Sequence, residues 1–114
     1  MSKVFKVCEK DEWEKVKQND FFGGSKIDKS DGFIHFSTSE QLKGTLEKYF
    51  KSKAQVYLLE VNTDNLDIVW EVSRNKEHFP HLYEPLPLSS VEKVYKICLD
   101  TEGNHIIPEK AFDG

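Results

Sequence analysis

The side chains of this chain with chemical potential are concentrated in three short segments. In the first, Asp31–Thr38 (DGFIHFST), His35 lies between Ile34 and Phe36. In an extended segment its ring points away from theirs and shares a face with Ser37. Thr38-x-x-Gln41 has the form of a capping box, so a helix starts immediately after. A helix start beside a strand-borne imidazole and hydroxyls suits an anion or a ribose, because unpaired N–H groups and the helix dipole favour acceptors there. The plainer alternative is a core histidine with satisfied nitrogens beside hydroxyls that only cap.

The second segment is Trp70–Arg74 (WEVSR), where Glu71 and Ser73 alternate with Trp70 and Val72 and so share a face. Arg74 is the single arginine among sixteen basic residues, which marks a place where a planar, forked donor is wanted. The alternative is an exposed strand face with a surface Glu71–Arg74 ion pair, which contributes little. In the third, Phe79–Leu86 (FPHLYEPL), His81 and Tyr83 share a face if the piece is extended, and Pro80 stiffens it. Its alternative is a packing plug that closes the core.

Other chemistries fit less well. His78-x-x-His81 with Glu71 or Glu77 offers nitrogen and oxygen ligands, but the prolines oppose the helix that would align them, so no metal is expected. Ser37 and His35 lie two apart with no nucleophile elbow. Gly23-Gly24 lacks any phosphate-cradling fingerprint.

The elements that must position these groups follow from patterning. Val4–Cys8 alternates as a strand, and Lys3 and Lys6 suit an edge. Asp11-x-x-Glu14 opens a short helix with Trp13 and Val16 on one face. Phe21–Ser25 ends it, and the stretch to Ser30 reads as loop. Gly32–Phe36 is a strand. The helix from Thr38 to Phe50 buries Leu42, Leu46, Tyr49 and Phe50. Gln55–Val61 and Ile68–Val72 are strands, Pro80, Pro85 and Pro87 impose extended or turn backbone, and Ser90–Asp100 is a long strand that returns through His105–Ile107. Strands outnumber helices, which makes a small α+β domain.

Composition bounds the rest. With 114 residues, the chain is one domain, 1–114. A hydrophobic content of 38% and a charged content of 32% are those of a globular protein. No apolar run approaches the roughly 18 residues of a membrane span, and no secretory signal opens the chain. A formal charge of −4 gives no footprint for wrapping duplex nucleic acid. Cys8 and Cys98 read as reduced, strand-borne core residues of a cytoplasmic protein.

DGFIHFSTSEQL (Asp31–Leu42), WEVSR (Trp70–Arg74) and FPHLYEPLPL (Phe79–Leu88), in this order and spacing, resemble the bacterial domain-of-unknown-function 952 family over nearly the whole chain. That family is similar to the ADP-ribosylation fold. The resemblance implies an α+β single compact domain with two small packed β-sheets and two helices around a cleft for NAD or a related nucleotide. Members of that fold hold a ribose with a strand-borne His or Arg, line the nicotinamide pocket with an aromatic or hydroxyl residue, and orient the reacting ribose with a late Glu. The resemblance therefore implies catalytic roles for His35 and Glu71, and ligand contacts from Ser37, Thr38, Arg74, His81 and Tyr83. Glu84 stands where the family has Gly. RNA 2′-phosphotransferases of the same fold rely on several arginines, and the lone Arg74 disfavours that activity.

The expectation is an ADP-ribosyltransferase-like cytoplasmic domain with a small-molecule ligand, a monomer or weak homo-oligomer. Against it stand a nucleotide binder without chemistry and a structural or interaction domain whose three segments only close the core.

Overall fold

A four-stranded antiparallel sheet runs through the centre of the molecule, in the order β1 (Lys3–Glu9), β4 (Val56–Asn62), β8 (Val91–Leu99), β9 (His105–Ile106). The structure is a computed structural model that describes residues 3–73 and 76–112. Register pairs Val4 with Val61, Lys6 with Leu59 and Cys8 with Tyr57. Alternation then sorts the side chains onto two faces. Val4, Cys8, Leu59 and Val61 pack against Phe22, Ile34, Phe36, Leu82 and Leu86. Phe5, Val7, Val56, Leu58 and Ile97 pack against Leu42 and Leu46 of helix α3 (Leu42–Tyr49). Strands β1 and β4 are thus covered on both sides, which is why β4 reads as a nearly continuous apolar run.

Two smaller antiparallel sheets lie on the first face. One pairs β2 (Phe21–Phe22) with β7 (Leu86–Pro87), and the other has the order β3 (Ile34–His35), β6 (His78–Leu82), β5 (Val69–Val72). Ile34 pairs with Leu82, and both are buried in the core. Pro80 sits in the middle strand, where its carbonyl still accepts from the Phe36 N–H at 2.9 Å. Phe5 and Ser37 exchange two backbone hydrogen bonds of 2.8 Å, which fasten the outer edge of β1 to the segment after β3.

The single α+β domain is as expected, but the pieces are smaller and more numerous. There are three sheets rather than two, and three α-helices rather than two among the described residues. Helix α1 (Lys10–Val16) is capped by Glu9 N–H donating to Glu12 Oε1 at 2.9 Å, not by an Asp11–Glu14 box. The segment expected as loop before Ser30 contains helix α2 (Lys26–Asp31), started by a Ser25–Asp28 capping box and ended by Gly32 at φ 88°. Tyr49, placed on the buried stripe of α3 by its spacing, is exposed, because the helix ends there. Cys8 is buried and Cys98 is exposed, both as free thiols. Burial pushes the Cys8 thiol up to about 12. Lys6, read as an edge residue, is buried, because the Phe5–Ser37 bridge covers that edge. No helix among the described residues is long and apolar enough to cross a membrane.

Candidate functional site

The three-stranded sheet turns one face away from the core, and the chemistry gathers there. His35 on β3 and Val69 on β5 both pair with His81 on β6, so their side chains share a face, and alternation adds Phe33, Glu71, Phe79 and Tyr83 to it. The Phe33 ring is the hub, with centroid separations of 4.5 Å to His35, 4.3 Å to His81 and 5.1 Å to Tyr83. The two imidazoles meet edge to face at 5.4 Å.

Asp28 of α2 lies beneath His35 and is almost fully buried. Its Oδ1 accepts from His35 Nδ1 at 2.6 Å and from the His35 backbone N–H at 3.1 Å. Its Oδ2 accepts from the Lys6 ammonium at 2.6 Å and from the Ser25 N–H at 2.8 Å. Burial opposes ionisation of this carboxyl, but the His35 ring, the Lys6 ammonium and the Ser25 N–H outweigh it and hold Asp28 well below the usual carboxylate range. His35 Nε2 meets Asp31 Oδ2 at 3.0 Å, so each nitrogen of that ring faces a carboxylate. Gly24 permits the close packing. A Cβ there would lie 2.7 Å from Asp28 Cβ, on a backbone at φ 104° that only glycine adopts readily.

A second imidazole–carboxylate pair stands beside the first. Glu71 Oε1 accepts from His81 Nδ1 at 2.7 Å and from the Tyr83 hydroxyl at 2.6 Å. The Tyr83 hydroxyl first, and the His81 ring second, lower the Glu71 carboxyl, while donating its hydrogen bond to that carboxylate raises the Tyr83 phenol. His81 Nε2 has no partner among the described residues.

Between this sheet face and α3 lies a cavity of about 260 Å³. Phe33, Phe36, Phe50 and Phe79 give it apolar walls, and Lys6, Asp28, Asp31, His35 and His81 supply its polar groups. Ser37 and Thr45 also line it, with their hydroxyls 2.7 Å apart. A larger hollow of about 420 Å³ lies between α3 and the turn before β9, but Lys43, Glu47 and Lys51 on its rim are all exposed. Among the described residues no group of three or more His, Cys, Asp or Glu is placed to hold a metal ion.

Of the residues singled out from sequence, His35, Ser37 and His81 line the cavity. Glu71 and Tyr83 do not form its wall and reach it through His81. Thr38 is engaged in its capping box with Gln41, accepting from the Gln41 N–H at 3.3 Å. Arg74 lies outside the described residues. Lys6, Asp28 and Phe33 were not anticipated. Signals for all three were present: Ser25-x-x-Asp28 is a capping-box pattern, Lys6 has the parity of Val4 and Cys8, and Phe33 has the parity of His35.

Residues 7–94 match the family described as "Protein of unknown function (DUF952)". Among solved structures, the chain is similar to the crystal structure of protein CC0527 from Caulobacter crescentus, at 35% identity and a TM-score of 0.89 over 97% of this chain and 99% of that one. It is also similar to the solution structure of CC0527, at 40% identity and a TM-score of 0.80 over 91% of each chain. No curated protein matches it.

Proposed function

Because the chain belongs to the DUF952 family, its function has to be read from its own cleft, and we propose that this cleft binds the ring-and-ribose end of NAD or a related nucleotide. The observation that carries the reading is the balance of charge on an aromatic wall. Among the described residues Asp28 and Asp31 line the cavity against one lysine, Lys6, whose ammonium is already spent on Asp28. Such a wall favours a ligand ring that carries positive charge, as a pyridinium does, over a neutral or anionic one. The volume of about 260 Å³ is close to the lower end of ligand pockets, about 300–1,000 Å³. It suits a ring with its sugar and leaves the rest of a dinucleotide outside. Asp31, whose side chain is 47% exposed, offers acceptors to ribose hydroxyls at the mouth. The similarity of the DUF952 family to the ADP-ribosylation fold is the reason to name nicotinamide among cationic rings, and that warrant is analogy.

The same field would favour glycosyl transfer. As the N-glycosidic bond breaks, its electron pair goes to the ring nitrogen and leaves neutral nicotinamide, while the anomeric carbon becomes oxocarbenium-like beside fixed carboxylates. A binder without turnover is the second reading, favoured by the fact that both His35 nitrogens are already engaged within the protein.

Thermal-shift and calorimetric titrations with oxidised and reduced nicotinamide mononucleotide, ADP-ribose and AMP test the reading. The oxidised mononucleotide should bind best, and His35→Ala should abolish its ligand-induced shift. Equal or tighter binding of AMP, or no binding by any of the four, would overturn it. Release of free nicotinamide separates the transferase from the silent binder.

A further inference from the structure

We infer that His81, through Nε2, is the proton-accepting group of the cleft, and that Glu71 and Tyr83 are the residues that position it. The inference deepens the glycosyl-ligand reading above and rests on it only for the identity of the proton donor.

The four histidines differ in what their nitrogens can still do. His105 Nε2 meets the Lys53 carbonyl at 2.9 Å, on the far side of α3. His78 is exposed and does not line the cavity. His35 has a carboxylate facing each nitrogen, so both are engaged within the protein, and the ring serves as a cross-link between β3 and α2. His81 is 4% exposed and lines the cavity. Its Nδ1 faces Glu71 Oε1, and an ionised carboxylate only accepts, so Nδ1 carries the hydrogen. In the neutral ring the lone pair then belongs to Nε2, which has no partner among the described residues. No buried side-chain nitrogen or oxygen among the described residues lacks a partner, so this unpartnered Nε2 is reached by solvent and is open to a ligand's proton.

The surroundings suit a group that gains a proton. Asp28, Asp31 and Lys6 face the cavity from α2 and β1, His35 packs edge-on from β3, and Glu71 and Tyr83 lie behind the ring. The imidazolium formed would keep its Nδ1–H on Glu71, and the Tyr83 hydroxyl, donating to the same Oε1, holds that carboxylate in place. In the transfer step the oxygen of a hydroxyl acceptor, water or an alcohol, bonds to the anomeric carbon as the N-glycosidic bond breaks and its electron pair leaves with nicotinamide, and the proton of the broken O–H bond passes to Nε2. Glu71 thus acts through His81 rather than on the ribose, so it is a positioning residue.

Nitrogen NMR of the ligand-free protein labelled at histidine tests this directly, because the two tautomers give distinct ring-nitrogen shifts. His81 should be the Nδ1–H tautomer with a lone pair on Nε2 when neutral. Glu71→Gln should convert it to a mixture of tautomers, with Tyr83→Phe having a smaller effect in the same direction. His81 found as the Nε2–H tautomer in the unmutated protein, or a tautomer population unmoved by Glu71→Gln, would overturn the assignment. No nucleotide enters this experiment, so its failure would leave the nicotinamide reading standing, and a failed nucleotide titration would leave the His81 result standing.

Discussion

At the scale of single residues, Asp28 is the most constrained group of the site. It accepts from Lys6, from Ser25 and twice from His35, all in a place with almost no water. Asp28→Asn would leave Lys6 as an uncompensated buried cation, and by the rule for broken buried pairs it should cost about 3–5 kcal/mol in urea unfolding. The pH dependence has a definite sign. The Asp28 carboxyl lies below its ordinary value of 3.8 in the folded protein, so the unfolded chain takes up protons first as the pH falls. Its contribution is therefore complete above the ordinary carboxylate range and is lost as the pH drops below it. Asp28→Asn should flatten that acid limb. Glu71 is also lowered, but its side chain is 39% exposed, so its share is screened and small. His35, His81, Glu71 and Tyr83 were legible because alternation along a strand is visible in one dimension. The face of Lys6 was legible in the same way, but its burial was not, because what buries it is a bridge between Phe5 and Ser37, residues far apart in sequence.

At the scale of elements, the site depends on α2. Six mostly polar residues with one buried side chain give no periodic signal, and the flanking Gly23-Gly24 suggests loop, so the Ser25-x-x-Asp28 pattern was the one mark of the helix that delivers Asp28. Its seat is set by Gly24, and this can be tested against the glycine at the other end. A Cβ at Gly32 meets nothing within 4 Å, so Gly32→Ala should cost only the left-handed backbone, about 1 kcal/mol. Gly24→Ala carries the same backbone cost plus a Cβ 2.7 Å from Asp28, and should be the more damaging of the two. Equal stabilities by chemical denaturation would show that Gly24 does not seat the helix. Ser25→Ala removes the cap on the Asp28 N–H and should cost about 1 kcal/mol.

At the scale of the whole molecule, the α+β class followed from long, strongly patterned segments such as β1, β4 and β8. The division into three sheets did not, because β2, β3 and β7 are two residues each and carry no period of their own. Leu59 is fully buried against the small sheets, so Leu59→Ala should cost about 2–5 kcal/mol. It does not line the cavity, so any ligand affinity of the folded fraction should survive. The fold is then a scaffold in which one sheet, with β1 and β4 buried on both sides, holds an outward-facing sheet against a helix and leaves a charged, aromatic cleft between them. Whether that cleft is a nicotinamide-ribose site is decided most directly by an NMR titration of the protein with oxidised, then reduced, nicotinamide mononucleotide. The account predicts shifts concentrated at Phe33, His35, His81 and Ser37 for the oxidised form, and much weaker ones for the reduced form. Shifts of equal size for both forms, or shifts confined to the hollow around Lys43 and His105, would contradict it.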